Sequence, residues 1–236
     1  MDARERREIV ANALVYFICD VSRVSEPPQT CARLAEIGIR LVQLRVKGVG
    51  DSAAYALAVQ VATELRRRGA LLIVNDRVDL ALAVDADGVH VGAEDLPVSV
   101  ARRVIGPERI LGASAHNATE ATNAVQSGAD YVGCGSVFPT NTKPDATVRG
   151  LDLVREVRAA TVVPLYGIGG IDAGNAVRVI QAGANGVAVA RAISDAPDPA
   201  AAAKQLLDVV RRIRNLRDAT SEFDTGSGQK GRIRKG

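Results

Sequence analysis

The sequence predicts an α/β fold, a single-domain (β/α)8 TIM barrel, on three observations. Short runs rich in Val, Ile and Leu alternate with longer amphipathic, Ala-rich stretches along the chain. Eight such pairs occupy about 215 residues without a Pro- or Ser-rich linker, the lower size range of such barrels. Hydrophobic residues are 47% of the 236, yet aromatics are 3% and Trp is absent. A core of Ala, Val, Leu and Ile suits parallel strands buried under helices. An open doubly wound sheet is the competing architecture, but no Gly-rich dinucleotide turn follows the first strand.

The elements follow in order. The first strand is expected at 14–19, with a helix at 29–37; the second strand at 40–44 leads to a helix at 52–68. The third pair is 71–74 and 78–84, the fourth 88–91 and 98–105, the fifth 109–113 and 118–127. The sixth is 131–133 and 151–160, the seventh 163–166 and 173–182, the eighth 186–190 and 200–213. Gly38, Gly69, Gly128 and Gly183 each follow a helical run and stop it. Residues 1–13 are expected as an N-terminal extension, 14–216 as the barrel, and 217–236, which hold few apolar groups, as a disordered basic tail.

The formal charge is +3, and residues 217–236 carry five Lys/Arg against three Asp/Glu, leaving 25 against 24 in the rest. The folded part is nearly neutral. Without a basic face or interleaved aromatics, no nucleic-acid partner is expected. No long uncharged apolar run exists and residues 1–8 alternate acids and bases, so neither a membrane partner nor a signal peptide is expected, and the location reads as cytoplasmic. Cys19, Cys31 and Cys134 lack metal-ligand spacing and suit buried thiols in a reducing compartment. The sequence leaves oligomeric state open, a homo-oligomer included.

In a barrel, chemistry sits where strands end. Alternation puts Gln43, Arg45 and Lys47 on one side, aimed at the barrel mouth. The third strand stops at Asn75-Asp76, and Asp95 follows the fourth. Two hard carboxylates without nearby Cys suit Mg²⁺, helix N-caps being the plainer alternative. Ser114, at the end of the fifth strand, is a hydroxyl donor for a phosphate. His116 reads as a base or as a helix-start residue. After the sixth strand, Thr140, Thr142 and Lys143 between Pro139 and Pro144 make an anion cradle. The seventh strand ends Gly167-Ile168-Gly169-Gly170-Ile171, whose backbone N–H groups can close on a phosphate, and the eighth ends at Ala190-Arg191. The strand interiors read as apolar. The inventory suggests a Mg²⁺-assisted diphosphate site at Arg45, Lys47, Asp76, Asp95 and Lys143, facing a monophosphate site at Gly170 and the eighth strand. Two phosphorylated ligands in one mouth imply group transfer.

These motifs, in order through residues 14–215, resemble the thiamine phosphate synthase family: Gln43-x-Arg45-x-Lys47, Asn75-Asp76-Arg77, Gly88-Val89-His90-Val91-Gly92-x-x-Asp95, Ser114-x-His116, Phe138-Pro139-Thr140-x-Thr142-Lys143-Pro144, and the glycine run at 167–171. The resemblance implies a Mg²⁺-dependent transferase. By it, Arg45, Lys47, Asn75, Ser114 and Lys143 hold the diphosphate of 4-amino-5-hydroxymethyl-2-methylpyrimidine diphosphate, with Gln43 nearby, and Asp76 and Asp95 hold the metal. Arg45, Lys47, Ser114 and Lys143 would assist departure of the diphosphate. Thr140, Thr142, Gly170, Ala190 and Arg191 would take the phosphate of 4-methyl-5-(2-phosphoethyl)thiazole. Diphosphate departure would leave a pyrimidine carbocation for the thiazole nitrogen to attack.

Three residues depart from the family pattern. Val46 stands where an acid is common, Ala93 where Gln is usual, and Arg191 where Ser is common. The first two are expected to tune the pocket and Arg191 to act as an alternative phosphate clamp. A thiazole tautomerase-like relative is the nearest rival, needing one phosphate site and a proton-transfer group such as His116. A non-catalytic phosphate-binding barrel is another. Asp76, Asp95 and Lys143 together favour the transferase.

Overall fold

Eight parallel strands close on themselves in sequence order in the computed structural model, which describes residues 1–140 and 147–226, the last ten of these by their backbone. They are β1 (Val15–Asp20), β2 (Leu41–Arg45), β3 (Leu71–Asn75), β4 (Gly88–Val91), β5 (Ile110–Ala115), β6 (Tyr131–Cys134), β7 (Leu165–Ile168) and β8 (Gly186–Val189). Around them lie α1 (Ala3–Asn12), α2 (Pro27–Glu36), α3 (Asp51–Arg67), α4 (Val78–Ala83), α5 (Val98–Ile105), α6 (Ala118–Gln126), α7 (Gly150–Ala160), α8 (Ala176–Gln181), α9 (Arg191–Ser194) and α10 (Pro199–Gly226). The fold is the (β/α)8 barrel that the alternating pattern predicts.

Period-two alternation splits the core into two shells. Residues such as Val42, Leu44, Val74 and Val89 face outward and pack under the helices. Inside, Ile18, Leu41, Leu71, Ile73 and Ile110 surround Tyr16, Tyr131 and Tyr166. The three rings meet edge-on, with centroids 5.5–5.7 Å apart. They fit because neighbouring strands present glycine inward. A Cβ at Gly112 would sit 2.1 Å from the Tyr131 ring and 2.5 Å from His90 Nδ1.

The first helix closes the lower end of this barrel. Asp2 and Glu5 form a capping box, each side chain accepting the other's backbone N–H at 2.8 Å. Val10 is buried against the lumen, and the Tyr166 hydroxyl donates to its carbonyl. Arg6 and Arg7 pair with Asp87 and Asp130 at 3.0 and 2.9 Å. The stretch 1–13 thus contains a helix that the sequence reading leaves as an extension.

Three further readings are corrected. The lumen is not wholly apolar, because Gln43 and His90 are buried among the tyrosine hydroxyls. Val46, expected to tune the pocket, is instead buried with Val42 and Leu44 between sheet and helices. The last helix does not end near residue 213: α10 runs to Gly226, the first Gly or Pro after its start. Residues 227–236 of the expected tail lie outside the described residues. Among the described residues, no helix is long and apolar enough to cross a membrane.

Candidate active site

Polar side chains gather where the strands end. Asp20 and Arg45 are partners in the parallel register of β1 and β2. Arg45 Nη1 donates to Asp20 Oδ2 at 2.5 Å, while Asp20 Oδ1 accepts the Ser22 hydroxyl at 2.7 Å and the Ser22 N–H at 3.1 Å. Burial alone would raise the Asp20 carboxyl, but Ser22 and Arg45 outweigh it and hold the carboxyl below the ordinary range. Asp20 therefore fixes Arg45 at the mouth as a charged pair. Sequence reasoning missed Asp20, although it continues the inward series Tyr16, Ile18.

Lys47, two residues beyond Arg45, brings Nζ to 3.1 Å from Asp76 Oδ2. Asp76 leaves β3 in the left-handed region, φ 63°, a conformation Asp tolerates better than most residues. Its N–H donates to the His90 carbonyl at 2.8 Å. Asp95 lies beyond β4 and accepts the Gly92 N–H at 2.7 Å. Burial, and then hydrogen bonding and like charge from Asp76, push the Asp95 carboxyl above its usual range against the pull of Gly92 and Lys47.

Asp76 beside Asp95 makes a carboxylate pair whose like charge a cation would relieve. Among the described residues, no group of three His, Cys, Asp or Glu stands ready to hold a metal. A pair of hard oxygen donors is nevertheless the donor set Mg²⁺ accepts, since it retains waters and substrate oxygens in its octahedron. Asn75, half-buried, ends β3 immediately before Asp76.

Ser114 is half-buried on β5, with Oγ 3.0 Å from His90 Nε2. Gln43, expected at the mouth beside Arg45, lies one step deeper: it is 3% exposed and donates from Nε2 to the Tyr16 hydroxyl at 2.8 Å. His116 is half exposed at the start of α6, its Nδ1 3.0 Å from Glu120 Oε2. It lies just before the Asn117 N-cap of α6, and its N–H also donates to Glu120 Oε2 at 2.8 Å.

The opposite side of the mouth is built from backbone. Beyond β6, Val137 and Phe138 donate their N–H groups to the Ile168 and Gly169 carbonyls at 2.9 and 3.0 Å. The Arg178 guanidinium lies 5.3 Å over the Phe138 ring. Gly169 and Gly170 have φ of 100° and 60°, and a Cβ on Gly170 would come within 2.3 Å of the Pro139 carbonyl oxygen. Close approach of this loop thus demands glycine there, a packing reason beside the one the sequence suggests. Thr140 is half-buried in the same loop, whereas Thr142 and Lys143 lie outside the described residues.

Ala190 caps α9, and Arg191 is its first residue. The Arg191 Nε donates to Asp195 Oδ2 at 2.7 Å, and Arg23 approaches the same oxygen at 3.5 Å. Hydrogen bonding from Arg191 leads the effects that hold Asp195 below the ordinary carboxylate range.

Comparison with known proteins agrees with this arrangement. Residues 15–193 match the family described as thiamine monophosphate synthase. The chain is 44% identical over 216 residues to a thiamine-phosphate synthase from Bacillus velezensis, covering 89% of this chain and 96% of that one. It is 52% identical over 187 residues to a thiamine biosynthesis bifunctional protein of Symbiobacterium thermophilum, covering 79% of this chain but only 39% of that relative's length. Among solved structures, a thiamine phosphate pyrophosphorylase from Pyrococcus furiosus superposes with a TM-score of 0.80 at 37% identity, covering 87% of this chain and 98% of that one.

Proposed function

The chain belongs to the thiamine monophosphate synthase family, enzymes of thiamine biosynthesis, and on that premise we propose that it is a Mg²⁺-dependent transferase. It joins 4-amino-5-hydroxymethyl-2-methylpyrimidine diphosphate to 4-methyl-5-(2-phosphoethyl)thiazole, giving thiamine phosphate and diphosphate. The observation that carries this reading is the convergence of Arg45, Lys47, Asp76, Asp95 and Ser114 on adjoining strand ends.

Each group among the described residues has a task that its position supports. Arg45, locked by Asp20, and Lys47 meet the diphosphate oxygens, with Asn75 and Ser114 as uncharged partners, and Lys143 adds a further cation by the family resemblance. Asp76 and Asp95 hold Mg²⁺, which supplies further positive charge to the leaving group when bound. The bond from the pyrimidine methylene carbon to oxygen breaks, its electron pair leaves with diphosphate, and the thiazole nitrogen lone pair forms the new C–N bond to the carbocation. No protein nucleophile is consumed. Thr140, Gly170, Ala190 and Arg191 take the thiazole phosphate on the opposite side, and Thr142 joins them by the family resemblance.

A tautomerase-like role for His116 has less support, because that ring is half exposed and engaged with Glu120. The three buried free thiols suit the reducing cytoplasm.

The test is to incubate the purified protein with both substrates and Mg²⁺ and quantify thiamine phosphate and diphosphate by mass spectrometry. Equimolar products are expected, and absence of turnover would overturn the assignment. Turnover unchanged in Asp76→Ala and Asp95→Ala would remove the metal site. Calorimetry separates the rival, which predicts binding of the thiazole phosphate without binding of the pyrimidine diphosphate.

A further inference from the structure

Ser114 can donate to a diphosphate oxygen only if its hydroxyl proton points at the mouth and not at His90, whose Nε2 is 3.0 Å away. We infer that a buried chain of side chains, Gln43, Tyr16, Tyr131 and His90, sets the direction of that proton. The role is one of positioning and rests on the diphosphate contact proposed for Ser114.

The chain crosses the lumen from β2 to β5 by way of β1, β6 and β4. Gln43 Nε2 is 2.8 Å from the Tyr16 hydroxyl, the Tyr16 and Tyr131 hydroxyls are 2.7 Å apart, and Tyr131 lies 3.0 Å from His90 Nδ1. Tyr166, the third ring of the cluster, spends its proton on the Val10 carbonyl. Gly112 leaves the space in which the His90 and Tyr131 side chains meet.

Donor and acceptor order along the chain is determined at its Gln43 end. An amide N–H can only donate, so the Tyr16 oxygen accepts there and its own proton goes to Tyr131. Tyr131, accepting from Tyr16, gives its proton to His90 Nδ1. A neutral imidazole that accepts at Nδ1 carries its proton on Nε2, and Nε2 then donates to Ser114 Oγ. Ser114 is an acceptor toward the barrel interior, and its O–H turns outward. Running the chain in reverse would aim the Tyr16 proton at the amide N–H of Gln43. That clash falls in a lumen where a broken buried hydrogen bond is costly.

The experiment reads the His90 tautomer by ¹⁵N NMR of histidine-labelled, substrate-free protein. The chain has two histidines, and His116→Gln leaves only the His90 ring signals. Protonated Nε2 with bare Nδ1 is expected; a proton on Nδ1 would overturn the proposal. As a second readout, Tyr131→Phe removes the donor to His90 and should lower kcat about tenfold, with a smaller change in KM for the pyrimidine diphosphate. Tyr166→Phe removes a hydroxyl from the same ring cluster but outside the chain, and should leave kcat unchanged. Equal kcat values in these two variants would also overturn the proposal. If wild-type protein shows the expected tautomer but no turnover, the hydrogen-bond order stands and the transferase reading falls.

Discussion

The two sides of the barrel mouth address anions by different means. Along β1–β5 the groups are side chains: Arg45 on Asp20, Lys47 on Asp76, Asp95 beside Asp76, and Ser114 on His90. Along β6–β8 the geometry comes from the main chain, with Val137 and Phe138 bonded to the end of β7 and left-handed glycines at 169 and 170. Under the proposed function, side-chain charge for a departing diphosphate lies on one side, and a main-chain shape for a spectator phosphate on the other. The comparison predicts that truncations on the first side damage the chemical step, and that added atoms on the second damage binding.

The largest effect should come from Arg45. Arg45→Ala is expected to lower kcat about 10²–10³-fold, the scale seen when a preorganised donor to developing negative charge is removed. Arg45→Lys should recover only part of this, since an ammonium cannot span Asp20 and a phosphate as a planar guanidinium does. Steady-state kinetics with both substrates tests it. An unchanged kcat with a raised KM for the thiazole phosphate would reverse the assignment of the two sides.

Next in size is Gly170→Ala. The new Cβ would meet the Pro139 carbonyl oxygen at 2.3 Å, at a backbone φ of 60°. KM for the thiazole phosphate should rise about 10-fold or more, with a stability cost on the order of 1–3 kcal/mol for the strained backbone. The kcat at saturation should hold near wild type. A kcat loss matching that of Arg45→Ala would erase the distinction between the sides.

The two sides also differ in how far the sequence discloses them. Arg45, Lys47, Asp76, Asp95 and Ser114 were readable because strand alternation and strand ends assign long polar groups to a mouth, and the structure brings them onto adjoining strand ends. Gly169 and Gly170 were readable as backbone N–H groups for a phosphate, but not as packing residues. That the loop after β6 presses on them is a tertiary contact with no local signature. The strand order followed from the βα period, while the lumen was misread as apolar. Tyrosine, Gln and His inside a strand carry no mark of the partner that satisfies them across the barrel. The helix at Ala3–Asn12 did carry a mark, Asp2 and Glu5 at capping-box spacing. The end of α10 was placed early because an apolar stripe fades before helix-forming residues do.

Beneath both sides, the packed lumen offers a change that should lower stability. Gly112→Ala drives a methyl into Tyr131 and His90, and overpacking of this kind costs up to about 3 kcal/mol. Differential scanning calorimetry should show a fall in Tm of several degrees for a domain of about this size. A Tm equal to wild type would mean that the ring cluster is looser than the close contacts around Gly112 imply.

The smallest effect separates Arg45 from the carboxylate that holds it. Asp20→Asn keeps the shape and removes the charge, so Arg45 remains in place with a weaker anchor; a stability loss of about 1 kcal/mol is expected at neutral pH. The pH dependence has a definite sign. Asp20 is held below the ordinary carboxylate range by Ser22 and Arg45, despite burial acting the other way. Its charged form therefore stabilises the fold above the carboxyl value of the unfolded chain, and that contribution is lost as pH falls through the lower folded value. Denaturant titrations should show wild type and Asp20→Asn separated by a constant gap from neutral pH down to mildly acidic pH, with the gap shrinking on further acidification. A gap that widens toward acid would mean that Asp20 is destabilised by its burial and that Arg45 is positioned by something other than this pair.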